Sequence, residues 1–162
     1  MWGIFRTFGF SKKRMRFTGT IEAKLDVKGR VFLPSEFRRQ MGGLEQRLVL
    51  KRDVYQPCLV VYPYEVWSAE VGQLRERLNR WNPRHAMVLR QFMADAVLFT
   101  LDANGRFILP KRLLEACRIE RTVEFVGVDD RVEVWNPDVK AEKFLSPEDF
   151  AQALEDVSEL LE

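Results

Sequence analysis

The chain has 162 residues, of which 46% are hydrophobic and 31% charged, with a formal net charge of +2; this composition supports a folded core and excludes a disordered or fibrous protein. No run of 18 or more apolar residues occurs, which excludes a membrane-spanning helix, and a single histidine, His85, removes Ser-His-Asp, Cys-His and histidine-rich metal sites from consideration. Residues 1–16 hold five bases and no acid, whereas residues 141–162 hold seven acids and one base, so local placement, not overall charge, decides whether nucleic acid is a partner.

In residues 1–16 the charges follow the apolar residues and no small-residue cleavage site comes after, which argues against a signal peptide. A strand over 19–25 then leads into the turn Asp26-Val27-Lys28-Gly29-Arg30. Gly29 supplies the positive φ such a turn needs, and the Asp26 carboxylate is placed to accept backbone N–H groups. A strand over 30–33 leaves the turn, Pro34 opens a short helix over 35–41, and Gly42-Gly43 closes it. Strands follow over 47–52 and 58–62. A helix is predicted over 66–80, where Trp67, Val71, Leu74 and Leu78 form one apolar stripe. Asn82-Pro83 restarts helix as cap and first position, running to about residue 94.

The pattern then repeats. A strand over 97–101 reaches Asp102-Ala103-Asn104-Gly105-Arg106, a strand over 107–109 leaves it, a helix spans 110–117, and strands span 122–128 and 131–135 around Asp129-Asp130. Gly105 and Asp102 take the turn-forming parts of Gly29 and Asp26. The segments LDVKGRVFLP (25–34) and LDANGRFILP (101–110) lie 76 positions apart, and VYPYEV (61–66) is answered by VWNPDV (134–139) at an offset of 73. Two matches in one order mark a duplication, each copy forming one supersecondary unit. Last, Ser146-Pro147-Glu148-Asp149 caps a helix with Phe150, Leu154, Val157 and Leu161 on one face. The fold class is α+β: barrel half, helical hairpin, barrel half, helix.

Few residues offer chemistry. Cys58 and Cys117 lack any CxxC spacing and read as small buried hydrophobes in a reducing compartment. His85 reads as a helix-surface residue. Gly42-Gly43 lacks the frame of a phosphate-binding loop, and no pair of acids stands out, so no enzyme, metal, cofactor or small-molecule substrate is expected. The duplicated turn remains. Aspartate and glycine shape it, but Arg30 and Arg106 do nothing obvious for the loop. A guanidinium at the base of a tight turn presents a fork suited to guanine O6 and N7, or to phosphate. Lys28 adds charge at the first tip, where Asn104 has none to offer, and Arg38, Arg39, Lys111 and Arg112 in the short helices are placed to meet phosphates. The residues alone leave two readings open: the arginines meet DNA, or they pair with acids inside the barrel. A non-DNA oligomeric scaffold, resting on the apolar helix faces and acidic tail, is the rival function.

At Asp26-Val27-Lys28-Gly29-Arg30 and Asp102-Ala103-Asn104-Gly105-Arg106 the chain resembles the MraZ family, whose members carry two AbrB/SpoVT-type modules. The resemblance runs from about Phe17 to Phe144. It implies two tandem swapped-hairpin halves forming a pseudo-symmetric double-split barrel. The modules then span 17–68 and 96–140, with a helical connector at 69–95, a basic extension at 1–16 and an acidic helix at 141–162. It further implies a cytoplasmic, nucleoid-associated, ring-forming homo-oligomer that binds repeated G-rich boxes in double-stranded DNA upstream of a division and cell-wall gene cluster that includes its own gene. Lys28, Arg30 and Arg106 fall at the family's DNA-contacting positions. A ring multiplies weak individual contacts by tethering several in phase. Family members begin near Met15, so residues 1–14 are expected to be an extension or a misassigned start; as an extension, this aromatic and basic arm is placed to touch the DNA backbone.

Overall fold

Proline sets where the helices begin, and runs of apolar residues set which strands lie at the centre. A computed structural model describes residues 17–160, so the basic extension and Leu161 lie outside the described residues. In chain order the elements are β1 (Thr20–Lys24), β2 (Arg30–Phe32), α1 (Ser35–Gln40), β3 (Leu48–Arg52), β4 (Leu59–Pro63), α2 (Tyr64–Arg77), α3 (Pro83–Ala94), β5 (Val97–Phe99), β6 (Arg106–Ile108), α4 (Lys111–Ala116), β7 (Thr122–Val128), β8 (Arg131–Trp135), α5 (Pro137–Lys143) and α6 (Pro147–Leu160). Pro34, Pro63 and Pro110 cap α1, α2 and α4 with φ between −51° and −57°, the value the ring fixes. Asn82 caps α3 by accepting the Arg84 N–H at 2.9 Å, and Ser146 Oγ accepts the Asp149 N–H at 3.1 Å ahead of α6.

Both ends of the connecting helix differ from expectation for local reasons. The connecting helix starts at Tyr64, two residues early, because Pro63 ends β4 and caps α2 at once. It stops at Arg77 because the backbone turns there: Asn79 Oδ1 accepts the Trp81 N–H at 3.0 Å and His85 Nδ1 accepts the Asn79 N–H at 2.9 Å. His85 is therefore a half-buried turn fastener and not a plain surface residue.

Six strands form one sheet in the order β1-β7-β8-β4-β3-β5, and β2 pairs with β6 in a separate two-stranded ribbon. All these pairings are antiparallel. The copies exchange strands: β1 pairs with β7 of the second copy, and β5 of the second copy pairs with β3 of the first. An approximate twofold relates the halves. In the ribbon Val31 faces Phe107, flanked by Arg30 opposite Ile108 and Phe32 opposite Arg106; at the sheet centre Val60 faces Glu133, flanked by Leu59 opposite Val134 and Val61 opposite Val132.

The central strands β3 and β4 are buried on both faces, as their unbroken apolar runs require. One face joins a core drawn from both copies, in which Val31, Leu33 and Phe37 meet Phe107, Leu109 and Leu113. On the other face Val49, Val60 and Tyr62 pack under Trp67 and Val71 of α2, burial worth roughly 2 kcal/mol for each large side chain. Cys58 and Cys117 are unbridged and buried, the role expected of them. The α6 stripe differs from an ordinary amphipathic face, since Phe150, Leu154 and Val157 are each more than half exposed.

Candidate nucleic-acid interface

The two turns are copies of each other bond for bond. In the first, the Asp26 N–H donates to the Arg30 carbonyl (2.9 Å) and the Gly29 N–H to the Asp26 carbonyl (3.0 Å). Asp26 Oδ1 accepts the N–H groups of Lys28 and Arg30, both at 2.9 Å. In the second, the Asp102 and Gly105 N–H groups donate in the same way, both at 2.9 Å, and Asp102 Oδ1 accepts from Asn104 and Arg106 at 2.9 Å. Gly29 and Gly105 hold φ at +80° and +84°, values that cost a residue with a Cβ roughly 1–2 kcal/mol. Asp26 and Gly29 shape the first turn, and Asp102 and Gly105 the second.

The arginines do contribute to the loop, contrary to expectation. Arg30 Nε donates to Asp26 Oδ2 at 2.7 Å, and Arg106 Nε to Asp102 Oδ2 at 2.9 Å. Each aspartate uses one oxygen for the backbone and the other for the guanidinium. These ion pairs lie at the surface, not inside the core, since the two arginine side chains are 31% and 23% exposed. Among the described residues no hydrogen bond reaches the Nη atoms of either one. Each guanidinium is held through Nε, which leaves its two Nη nitrogens, the edge that recognises guanine or phosphate with two parallel bonds, without a hydrogen-bonded partner among the described residues. The backbone N–H of Arg30 is the largest influence holding the Asp26 carboxyl below its usual range; loss of water, the second largest, opposes it, and the Arg30 guanidinium and the Lys28 N–H help to lower it. Asp102 is lowered in the same way, with the Arg106 N–H first. Both carboxylates stay charged at neutral pH.

Each tip also takes parts from the other copy. The Leu33 N–H donates to the Gly105 carbonyl at 3.0 Å and the Leu109 N–H to the Gly29 carbonyl at 2.9 Å. Lys111, from the second copy, lines one hollow with Lys28 and Gly29 of the first tip. Arg38, from the first copy, lays its guanidinium against Gly105, at the place a Cβ would occupy. The second tip, which has Asn104 where the first has Lys28, thus gains a cation from α1. The remaining basic residues lie elsewhere. Arg39 lines a shallow hollow with Glu36 and Gln40, and Arg112 Nη1 is paired with Asp95 at 3.0 Å.

The sequence reading missed the residues beside the forks. Strand alternation turns Val31 and Phe107 into the core and leaves Arg30, Phe32, Arg106 and Ile108 on the outward face of the ribbon. Phe32 and Ile108 are 55% and 61% exposed. The period-two pattern of Arg30-Val31-Phe32 carried that signal. No group of three or more His, Cys, Asp or Glu among the described residues is placed to hold a metal, and no helix there is long and apolar enough to cross a membrane. Burial pushes the Cys117 thiol up to about 11 and raises Cys58 further.

Comparison with known proteins gives one consistent picture. The model of the MraZ protein family matches residues 16–91 and again 92–156. A protein named transcriptional regulator MraZ from Phocaeicola vulgatus is 49% identical over 144 residues, 88% of this chain and 94% of its own. The Bacteroides fragilis protein of that name is 47% identical over 88% of this chain and 91% of its own. A more distant one from Thermoanaerobacter sp. is 34% identical over 86% and 97%.

Proposed function

The chain belongs to the MraZ family, and from that premise we propose that it is a transcription regulator that binds double-stranded DNA in a sequence-specific way. The observation that carries this is the pair of matched turns, each holding a guanidinium by Nε and leaving its outer edge for a ligand. A two-stranded ribbon is one of the elements the major groove admits, and an arginine fork on guanine is the commonest specific contact there. Arg30 and Arg106 take the base-reading part. Lys28, Lys111 and Arg38 supply phosphate contacts that fix register, and Arg39, which lies apart from the tips beside Glu36 and Gln40, supplies a further contact to the DNA backbone.

The exchange of β1 and β5 between copies supports a swapped-hairpin, double-split barrel in two modules, 17–68 and 96–140, joined through 69–95. In the wider proposal several chains close into a ring on repeated G-rich boxes near the chain's own gene, within a division and cell-wall cluster, at the cytoplasmic nucleoid. An exposed apolar stripe on α6 favours such self-association. A scaffold that never meets DNA leaves the Nη edges of both guanidinium groups without a use. The test is a gel shift on duplex DNA from upstream of the chain's own gene. A retarded band that weakens steeply with salt is expected; no shift at low salt overturns the reading.

A further inference from the structure

Single apolar side chains on a surface are ordinary, but Phe32 and Ile108 are a matched pair, 76 positions apart like the turns themselves. Across the ribbon Phe32 stands opposite Arg106 and Ile108 opposite Arg30. Each apolar side chain therefore lies beside a fork, and the Arg106 guanidinium sits 5.8 Å from the centre of the Phe32 ring. Directly opposed residues in such a ribbon have Cβ atoms about 5 Å apart, against a rise of about 3.4 Å between bases along one strand. A side chain next to an arginine seated on guanine therefore reaches the base edge one or two steps away. Lys28, Lys111 and Arg38 lie around the same ribbon, so the occupant that suits the whole patch is polyanionic with apolar points on it. The major-groove edge of DNA presents one apolar group, the C5 methyl of thymine.

We propose that Phe32 and Ile108 are specificity-determining residues that contact thymine methyl groups beside the bases read by Arg106 and Arg30. This rests on the DNA-binding reading above and deepens it: the preferred site carries thymine within two steps of the guanine each fork reads.

The test compares two duplexes of the upstream region, identical except that one carries deoxyuridine in place of thymidine and so lacks every C5 methyl. Wild-type protein is expected to bind the uracil duplex more weakly, by about fourfold for each methyl contacted. The Phe32→Ala/Ile108→Ala double variant is expected to bind both duplexes alike. Equal binding of both by the wild type overturns this inference and leaves DNA binding standing, whereas binding of neither overturns both. The size of the DNA-free double variant is measured by light scattering. An unchanged assembly is expected, and a changed one overturns the inference by assigning the pair to a contact between copies.

Discussion

The guanidinium of Arg38 lies against the backbone of Gly105, joining the first copy's short helix to the second copy's turn. Gly105 is buried beneath it, while Gly29, its counterpart, is half-exposed. The two glycines should therefore respond differently to alanine. Gly29→Ala meets chiefly the cost of positive φ, about 1–2 kcal/mol, since its Cβ would stand 3.4 Å from the Leu109 carbonyl oxygen. Gly105→Ala adds displacement of Arg38. Denaturant unfolding of Gly105→Ala in the wild-type and Arg38→Ala backgrounds checks this. The substitution should cost less where Arg38 is absent, and equal costs would mean the two residues do not interact.

The Asp–Arg bond makes Asp26 a positioning residue for Arg30. Asp26→Ala should weaken DNA binding nearly as much as Arg30→Ala, each by about tenfold or more, although the aspartate itself repels DNA. Arg30→Lys should not restore binding, because an ammonium lacks the fork. Titrations at one fixed salt concentration decide it. Tighter binding by Asp26→Ala would show that charge alone matters.

The lowered carboxyls fix the direction of a pH effect. Asp26 and Asp102 have folded values below the ordinary one of about 3.9, so their contribution is complete above that range. It is lost as pH falls through the folded values. Binding and thermal midpoint should hence show no change from these groups between about pH 6 and 8, with loosening of both turns only in strong acid. Carboxyl NMR titration of the two aspartates reads this directly. A midpoint for either one above the ordinary value would contradict it.

Lys51 is the one charged side chain buried in the core among the described residues. Its Nζ lies 4.5 Å from the centre of the Phe92 ring and has a long 3.5 Å bond to the Arg52 carbonyl. Loss of water lowers its proton affinity, against the pull of Asp95, Asp53 and Glu70. With the folded value depressed, the charged form is disfavoured in the fold, so this residue's cost fades as pH rises toward the lysine range. Lys51→Met should stabilise the fold at neutral pH by on the order of 1 kcal/mol, read as a higher thermal midpoint. A drop would mean that the cation–ring contact outweighs desolvation.

Much of this was legible in the order of residues. The repeated turns, the proline-led helices and the Asn82 and Ser146 caps are local signals, and each acts where it was read. Partnership was not legible. Alternation in Thr20–Lys24 identifies a strand but carries no information about β7 as its neighbour, because the exchange between copies is settled by the shared core. The same limit hid Arg38 on Gly105. The outward bond of Arg30 was hidden differently: Asp26 has two oxygens, and the turn's backbone occupies only one.

Because one chain carries both halves of the ribbon, its two ends have been able to diverge. Lys28 has no twin, and Arg38 serves one tip alone. A symmetric pair of identical hairpins would see the same thing from either direction along a duplex. The ribbon therefore has a head and a tail, and on the DNA-binding reading proposed above it is expected to suit non-palindromic sites, with each copy facing one way along the double helix.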